Sequence, residues 1–172
     1  TISVVNSRGV DETASSSYAL AEAGLYGMDW YFSARSLSEL SAKGEKGRIE
    51  RRRRVLALPE ILFVPGTFRV LLDQSVTANI FMHAWRLFSG EAYVSGSTAY
   101  HGMLGQRIMP ECVTISDQPV TKYSAFRCRI DCEGSPCRET RLVDRGIFAG
   151  LMHNLASAGA MGERTTGNGG RR

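Results

Sequence analysis

The stretch Val64-Pro65-Gly66-Thr67-Phe68-Arg69-Val70-Leu71-Leu72-Asp73 runs straight into Gln74-Ser75-Val76-Thr77-Ala78-Asn79-Ile80-Phe81-Met82-His83-Ala84-Trp85-Arg86-Leu87-Phe88. Its change of period decides the fold. Pro65-Gly66 is a turn signal, and the β-branched and apolar run from Thr67 to Leu72 predicts a strand. Ser75 is an N-cap residue, and Val76, Ile80, His83 and Leu87 recur at i, i+4, i+7 and i+11. That spacing predicts a helix to about Phe88, with His83 in the middle of its apolar stripe.

Working outward toward the N-terminus, Ser36 to Leu58 has helical composition, divided at Gly44 and Gly47 and ended by Pro59, so a domain seam is expected between 58 and 66. Before it, Ile2–Val5 reads as a strand, Asn6-Ser7-Arg8-Gly9 as a turn, and Thr13–Glu22 and Leu25–Ala34 as two further strands around Gly24 in one antiparallel sheet. Toward the C-terminus, Gly90 to Gly105 reads as an irregular surface loop, and Cys112–Ile115, Ala125–Ile130, Glu139–Val143 and Ile147–Met152 as strands. Asp144-Arg145-Gly146 is a hairpin signal with glycine where positive φ is needed. From Ala156 onward no closing element is expected. The pattern is α+β: an antiparallel sheet with a helix, then a β-rich second unit with one amphipathic helix.

The 172 residues, 43% of them apolar and 22% charged, suffice for a packed core and exclude disordered, coiled-coil and collagen-like classes. No apolar run approaches the roughly 18 residues of a membrane span and no basic-then-apolar leader opens the sequence, so a cytoplasmic protein without membrane contact is expected. The net charge of +4 is local: five arginines and one glutamate between Arg48 and Arg54 carry it, and the remaining charges balance. With no interleaved aromatics, Arg48–Arg54 reads as a solvated helix face rather than a contact for nucleic acid or an acidic partner. Cys112, Cys128, Cys132 and Cys137 lack the two-residue spacing of zinc knuckles and read as free thiols. There is no GxSxG, P-loop or GxGxxG motif.

Eight short stretches, in order and at matching spacing, carry a family likeness. They are 5–9 (Val-Asn-Ser-Arg-Gly), 64–73, 89–92 (Ser-Gly-Glu-Ala), 104–106 (Leu-Gly-Gln), 114–117 (Thr-Ile-Ser-Asp), 131–134 (Asp-Cys-Glu-Gly), 142–146 (Leu-Val-Asp-Arg-Gly) and 166–168 (Thr-Gly-Asn). Through them the sequence resembles the TldD/PmbA zinc peptidases, also called modulators of DNA gyrase. The resemblance implies that residues 1–58 are the end of an N-terminal α/β domain and 59–172 the early part of a β-rich C-terminal domain, the middle part of a full-length member.

The resemblance also implies a site. The family's catalytic subunit carries H-E-x-x-x-H on the helix after the proline-glycine strand: two imidazoles hold zinc, the glutamate takes the proton from metal-bound water, and a late cysteine is the third ligand. Here His83 stands at the first ligand position, Ala84 at the base and Phe88 at the second imidazole. Neither alanine nor phenylalanine binds zinc or moves a proton. The chain therefore resembles the non-catalytic PmbA/TldE branch: no catalytic residue and no cofactor of its own, with zinc expected in a TldD-like catalytic partner. His83 becomes a packed or hydrogen-bonded core histidine. The expected function is support of proteolytic processing of unstructured peptides, with hetero-oligomerisation or self-association. An extended peptide would be held by main-chain bonds along a strand edge near 125–152, which reads equally as sheet interior. Tyr93, Tyr100 and His101 are candidate peptide contacts, and His153 reads as structural. Two alternatives remain: an active zinc peptidase with unorthodox ligands (His83, His101 and one of Cys128, Cys132 or Cys137), or nucleic-acid or acidic-partner binding through Arg48–Arg54.

Overall fold

A computed structural model describes residues 1–7, 9–25, 28–34, 36–38, 50, 53–59, 64–72, 74–121 and 127–170. Strands β1 (Ile2–Val5) and β2 (Asp11–Ala14) pair antiparallel, Ile2 opposite Ala14. Their turn is closed by local polar chemistry: the Asn6 side chain accepts from Val10 N at 3.2 Å, and Gly9 supplies φ 86°. Strands β3 (Ala19–Leu25) and β4 (Met28–Ala34) form a second antiparallel ribbon from Ala19 opposite Ala34 to Leu25 opposite Met28. The expected single sheet is thus two separate two-stranded ribbons, and Gly24 lies inside β3, paired with Asp29. Most of 36–58 lies outside the described residues; within it, 53–56 are helical.

Residues 64–72 belong to no strand, and Leu71 is fully exposed. β-type composition sets a preference only; a strand needs a ladder. Helix α1 (Gln74–Ala84) follows and tightens into a 3₁₀ turn, Trp85–Phe88. Ser75 is the second residue of α1. Helix α2 (Gly90–Val94) is capped by Ser89, whose hydroxyl accepts from Ala92 N at 3.4 Å. The rest of the segment to Gly105 is a chain of turns, as the Gly/Ser content suggested.

The central sheet has the order β5 (Ile115–Asp117), β6 (Thr140–Asp144), β7 (Ile147–Phe148), all antiparallel, with β6 in the middle. The β6–β7 turn takes the left-handed region twice, at Arg145 (φ 45°) and Gly146 (φ 81°), the geometry of a two-residue hairpin. Gly146 is required twice over, since a Cβ there would collide with the Met109 carbonyl oxygen. The strands expected at Cys112–Ile115 and Ile147–Met152 are shifted to Ile115–Asp117 and shortened to Ile147–Phe148. Of Ala125–Ile130, residues 125 and 126 lie outside the described set, and Ile130 makes a lone bridge with Pro136.

The chain does have a closing element. Helix α3 (Leu155–Met161) begins at a capping box in which the Asn154 side chain accepts from Ser157 N and Ser157 Oγ from Asn154 N, and it ends on Gly162 at φ 69°. These caps outweigh Gly159 in the helix interior.

The core is Phe88, Leu142, Val143, Phe148 and Leu151. Phe88 and Phe148 meet edge to face at 5.9 Å, with Tyr100 5.8 Å from each. A parallel bridge stitches the 3₁₀ turn to the last third of the chain: Met152 N donates to Phe88 O at 2.9 Å and Gly90 N to Met152 O at 2.8 Å.

Candidate functional site

The α1 end decides what chemistry is open to the motif helix. His83 is exposed and donates from Nδ1 to the Asn79 carbonyl at 2.9 Å. A carbonyl only accepts, so Nδ1 is the donor in this bond. The stripe on which His83 sits is not a buried face: Val76 and Ile80 are 43% and 49% exposed. His83 is thus hydrogen-bonded but not in the core. The α-helical repeat stops at Ala84, and the 3₁₀ turn carries Phe88 inward until it is 2% exposed. The positions that the resemblance matches to the first and second ligands, His83 and Phe88, therefore face solvent and core respectively. These residues do not fit a zinc ion: the one imidazole of His83 cannot fix it, and neither Ala84 nor Phe88 supplies a second donor or a carboxylate to accept a proton.

Among the described residues no three of His, Cys, Asp or Glu gather into a metal-holding group. His83, His101 and the cysteines do not assemble as an unorthodox ligand set. His101 is exposed and donates from Nδ1 to the Tyr93 carbonyl at 2.7 Å. Tyr93 lies against its ring at 5.4 Å and against Phe148 at 6.0 Å, while Tyr100 packs on Phe88 and Phe148. The structure places these two aromatics as a lining of the core, with His101 at its surface. Strand β6 has a neighbour on both sides, so the 140–144 part of the 125–152 region is sheet interior rather than a free edge. Of Arg48–Arg54, residues 50, 53 and 54 are described, all exposed; the remainder lies outside the described residues.

Three of the stretches that carry the family likeness, 114–117, 131–134 and 166–168, belong to one hydrogen-bonded scaffold. Asp131, 5% exposed, accepts at Oδ1 from Glu133 N (2.9 Å) and Ser135 N (2.8 Å), and at Oδ2 from Gly169 N (2.7 Å). Asn168 donates to Asp117 Oδ2 at 2.8 Å, and Thr166 Oγ1 accepts from His153 N at 2.6 Å. The β1–β2 hairpin rests on the same loop, for a Cβ at Gly134 would overlap Val10 Cγ1. His153 is buried, its Nδ1 3.1 Å from Ser157 Oγ, and its carbonyl accepts from Thr165 Oγ1 and from the Thr166 and Asn168 amides. Burial holds the His153 imidazole below its ordinary value, opposed by Glu163 and aided by Arg138.

Beside His153 opens a cavity of about 380 Å³, lined by Arg138, Arg141, Arg164, Glu163 and Thr166 among others. Arg138 is held across it by donating to the Arg164 carbonyl at 2.7 Å. No local signal in the sequence announces this cavity, because its walls come from β6, the 149–153 segment and the chain after α3. No helix among the described residues is long and apolar enough to cross a membrane.

A family model described as the PmbA/TldA metallopeptidase C-terminal domain matches residues 65–172. Metalloprotease MJ0996 of Methanocaldococcus jannaschii is 29% identical over 124 residues, covering 70% of this chain and 27% of its own length. A metalloprotease TldD homologue of Buchnera aphidicola is 30% identical over 105 residues, 60% of this chain and 22% of that protein. The chain thus spans about a quarter of the length of these relatives. Among solved structures, TM0727 of Thermotoga maritima aligns with a TM-score of 0.73 at 24% identity, over 89% of this chain and 36% of that one. TldE of Thermococcus kodakarensis aligns with a TM-score of 0.64 at 24% identity, over 90% and 36%. These two likenesses speak to the fold.

Proposed function

The chain belongs to the PmbA/TldD metallopeptidase family, and from that premise we propose that it acts as a non-catalytic, PmbA/TldE-type component that supports peptide processing by a zinc-bearing, TldD-like partner. Its residues 1–58 are assigned to the end of an N-terminal α/β domain and 59–172 to the early part of the β-rich C-terminal domain.

One observation carries the reading: where water activation calls for a carboxylate and a second imidazole, the chain has Ala84 and a Phe88 buried in the core. A phenylalanine that packs on Phe148 and Tyr100 contributes to stability and offers no donor atom to a metal. The substrate class is extended, unstructured peptide; the setting is cytoplasmic; and zinc resides in the partner. Tyr93, Tyr100 and His101 are the candidate peptide contacts; of the three, His101 is exposed, while Tyr93 and Tyr100 are partly buried against the core.

The test is reconstitution. The chain alone leaves an unstructured peptide intact, co-elutes with a TldD-type protein bearing an intact H-E-x-x-x-H motif, and changes the cleavage of that peptide by the partner. Cleavage by the chain alone, or a partner whose activity and elution are indifferent to it, overturns the proposal.

A further inference from the structure

Away from the motif helix, two thiols lie in contact. Cys137 Sγ is 3.3 Å from Cys128 Sγ. The loop between them is pinched at its neck by the antiparallel bridge of Ile130 with Pro136 and by Cys137 N donating to Arg129 O at 2.9 Å. Bonded sulfurs lie about 2.0 Å apart, so closure from the observed contact needs a side-chain movement of about 1 Å. Cys128 is exposed and Cys137 half-buried, which leaves one sulfur open to a reagent and shields the other.

We propose that Cys128 and Cys137 are a disulfide-forming pair, closed by exchange with a low-molecular-weight disulfide. The exposed Cys128 thiolate attacks one sulfur of the reagent, breaking its S–S bond and releasing one thiol; Cys128 is left in a mixed disulfide. Cys137 then loses its proton to solvent and attacks the Cys128 sulfur, expelling the second thiol. The two cysteines are oxidised, the reagent is reduced to two thiols, and no other electron acceptor is needed.

Burial, the contact with Cys128 and then the Asp131 and Asp117 carboxylates push the Cys137 thiol up to about 12. Each of these causes disfavours the Cys137 thiolate, so the second step is slow. This pair is a staple rather than a fast sensor. Its position gives the staple a role. Cys137 Sγ also lies 3.1 Å from the Gly167 carbonyl, and the pinched loop carries Asp131, which receives the Gly169 amide. Cross-linking the neck fastens the loop against which the 165–170 segment folds.

The experiment incubates the full chain with oxidised glutathione near neutral pH, blocks remaining thiols with N-ethylmaleimide, and reads the intact mass. Digestion after Arg129 and Glu133 then separates Cys128, Cys132 and Cys137 for mapping. Expected are two blocked thiols instead of four, a mass lower by two hydrogens before blocking, and a linkage between the Cys128 and Cys137 peptides. Cys128→Ser and Cys137→Ser each abolish the cross-link. A chain with Cys112→Ser and Cys132→Ser retains both members and closes as before, which guards against misfolding of the single variants. Four blocked thiols, a bond mapped to Cys132 or Cys112, or a glutathione adduct that stays on Cys128 overturns the proposal.

Discussion

Truncating Phe88 to alanine separates the two meanings of the degenerate motif. Phe88 is 2% exposed and lies against Phe148 at 5.9 Å and Tyr100 at 5.8 Å, within the cluster of Leu142, Val143 and Leu151. Phenylalanine-to-alanine changes at such sites cost about 3–5 kcal/mol, the sum of lost transfer energy and a cavity that the surroundings fill only in part. A chain of this size loses about 2–4 °C of Tm per kcal/mol, so the midpoint falls by roughly 6–20 °C. Phe88→Leu keeps most of the volume but loses the edge-to-face ring contacts, and should cost about 1–2 kcal/mol. His83→Ala changes an exposed side chain whose one bond is to the carbonyl four residues back, so its effect stays within about 0.5 kcal/mol. The assay is urea unfolding followed by circular dichroism, with all three variants in one buffer. A Phe88→Ala cost below about 1 kcal/mol, or a His83→Ala cost exceeding it, refutes the placement of Phe88 in the core and of His83 at the surface.

Other perturbations probe the scaffold. A Cβ at Gly90 would overlap His153 Nδ1 and come within 2.8 Å of Ser157 Oγ, so Gly90→Ala should cost about 1–3 kcal/mol in the same unfolding assay. Asp131→Asn removes acceptor capacity from a carboxylate that serves three amides, leaving at least one buried N–H unmet at a cost of about 1–3 kcal/mol. Hydrogen exchange at Gly169 should speed up with it. Because burial holds the folded His153 imidazole below its ordinary 6.5, the unfolded chain binds the proton more readily. Its contribution to stability is therefore complete above pH 6.5 and is lost as the pH falls from there through the folded value, and His153→Gln should flatten that part of a urea-midpoint profile.

The features legible in sequence were those whose chemistry is local. The Asn6–Gly9 and Asp144–Gly146 turns rest on residues that accept positive φ or close a turn with their own side chains, and both formed as read. Helix α1 showed its period, but the burial of its stripe was not readable from it, since period does not say what lies opposite Val76 and Ile80. The α3 helix had a readable signal in Asn154-x-x-Ser157, which the surrounding glycines outweighed. Tyr93 and Tyr100 looked like loop aromatics because Phe148, which they pack against, is about fifty positions away and reaches them only through β7. The central place of β6 was equally out of reach, because strand order is a property of the whole sheet. Ala84 and Phe88 could be read at the positions the resemblance matches to a metal motif; the inward course of the 3₁₀ turn that buries Phe88 could not.

Zinc stoichiometry tests the central claim most directly. The purified chain, dialysed against micromolar zinc and washed free of loose metal, should retain far less than one ion per chain, with or without His83. One tightly held zinc per chain, lost in His83→Ala and required for cleavage of an unstructured peptide, would contradict the account.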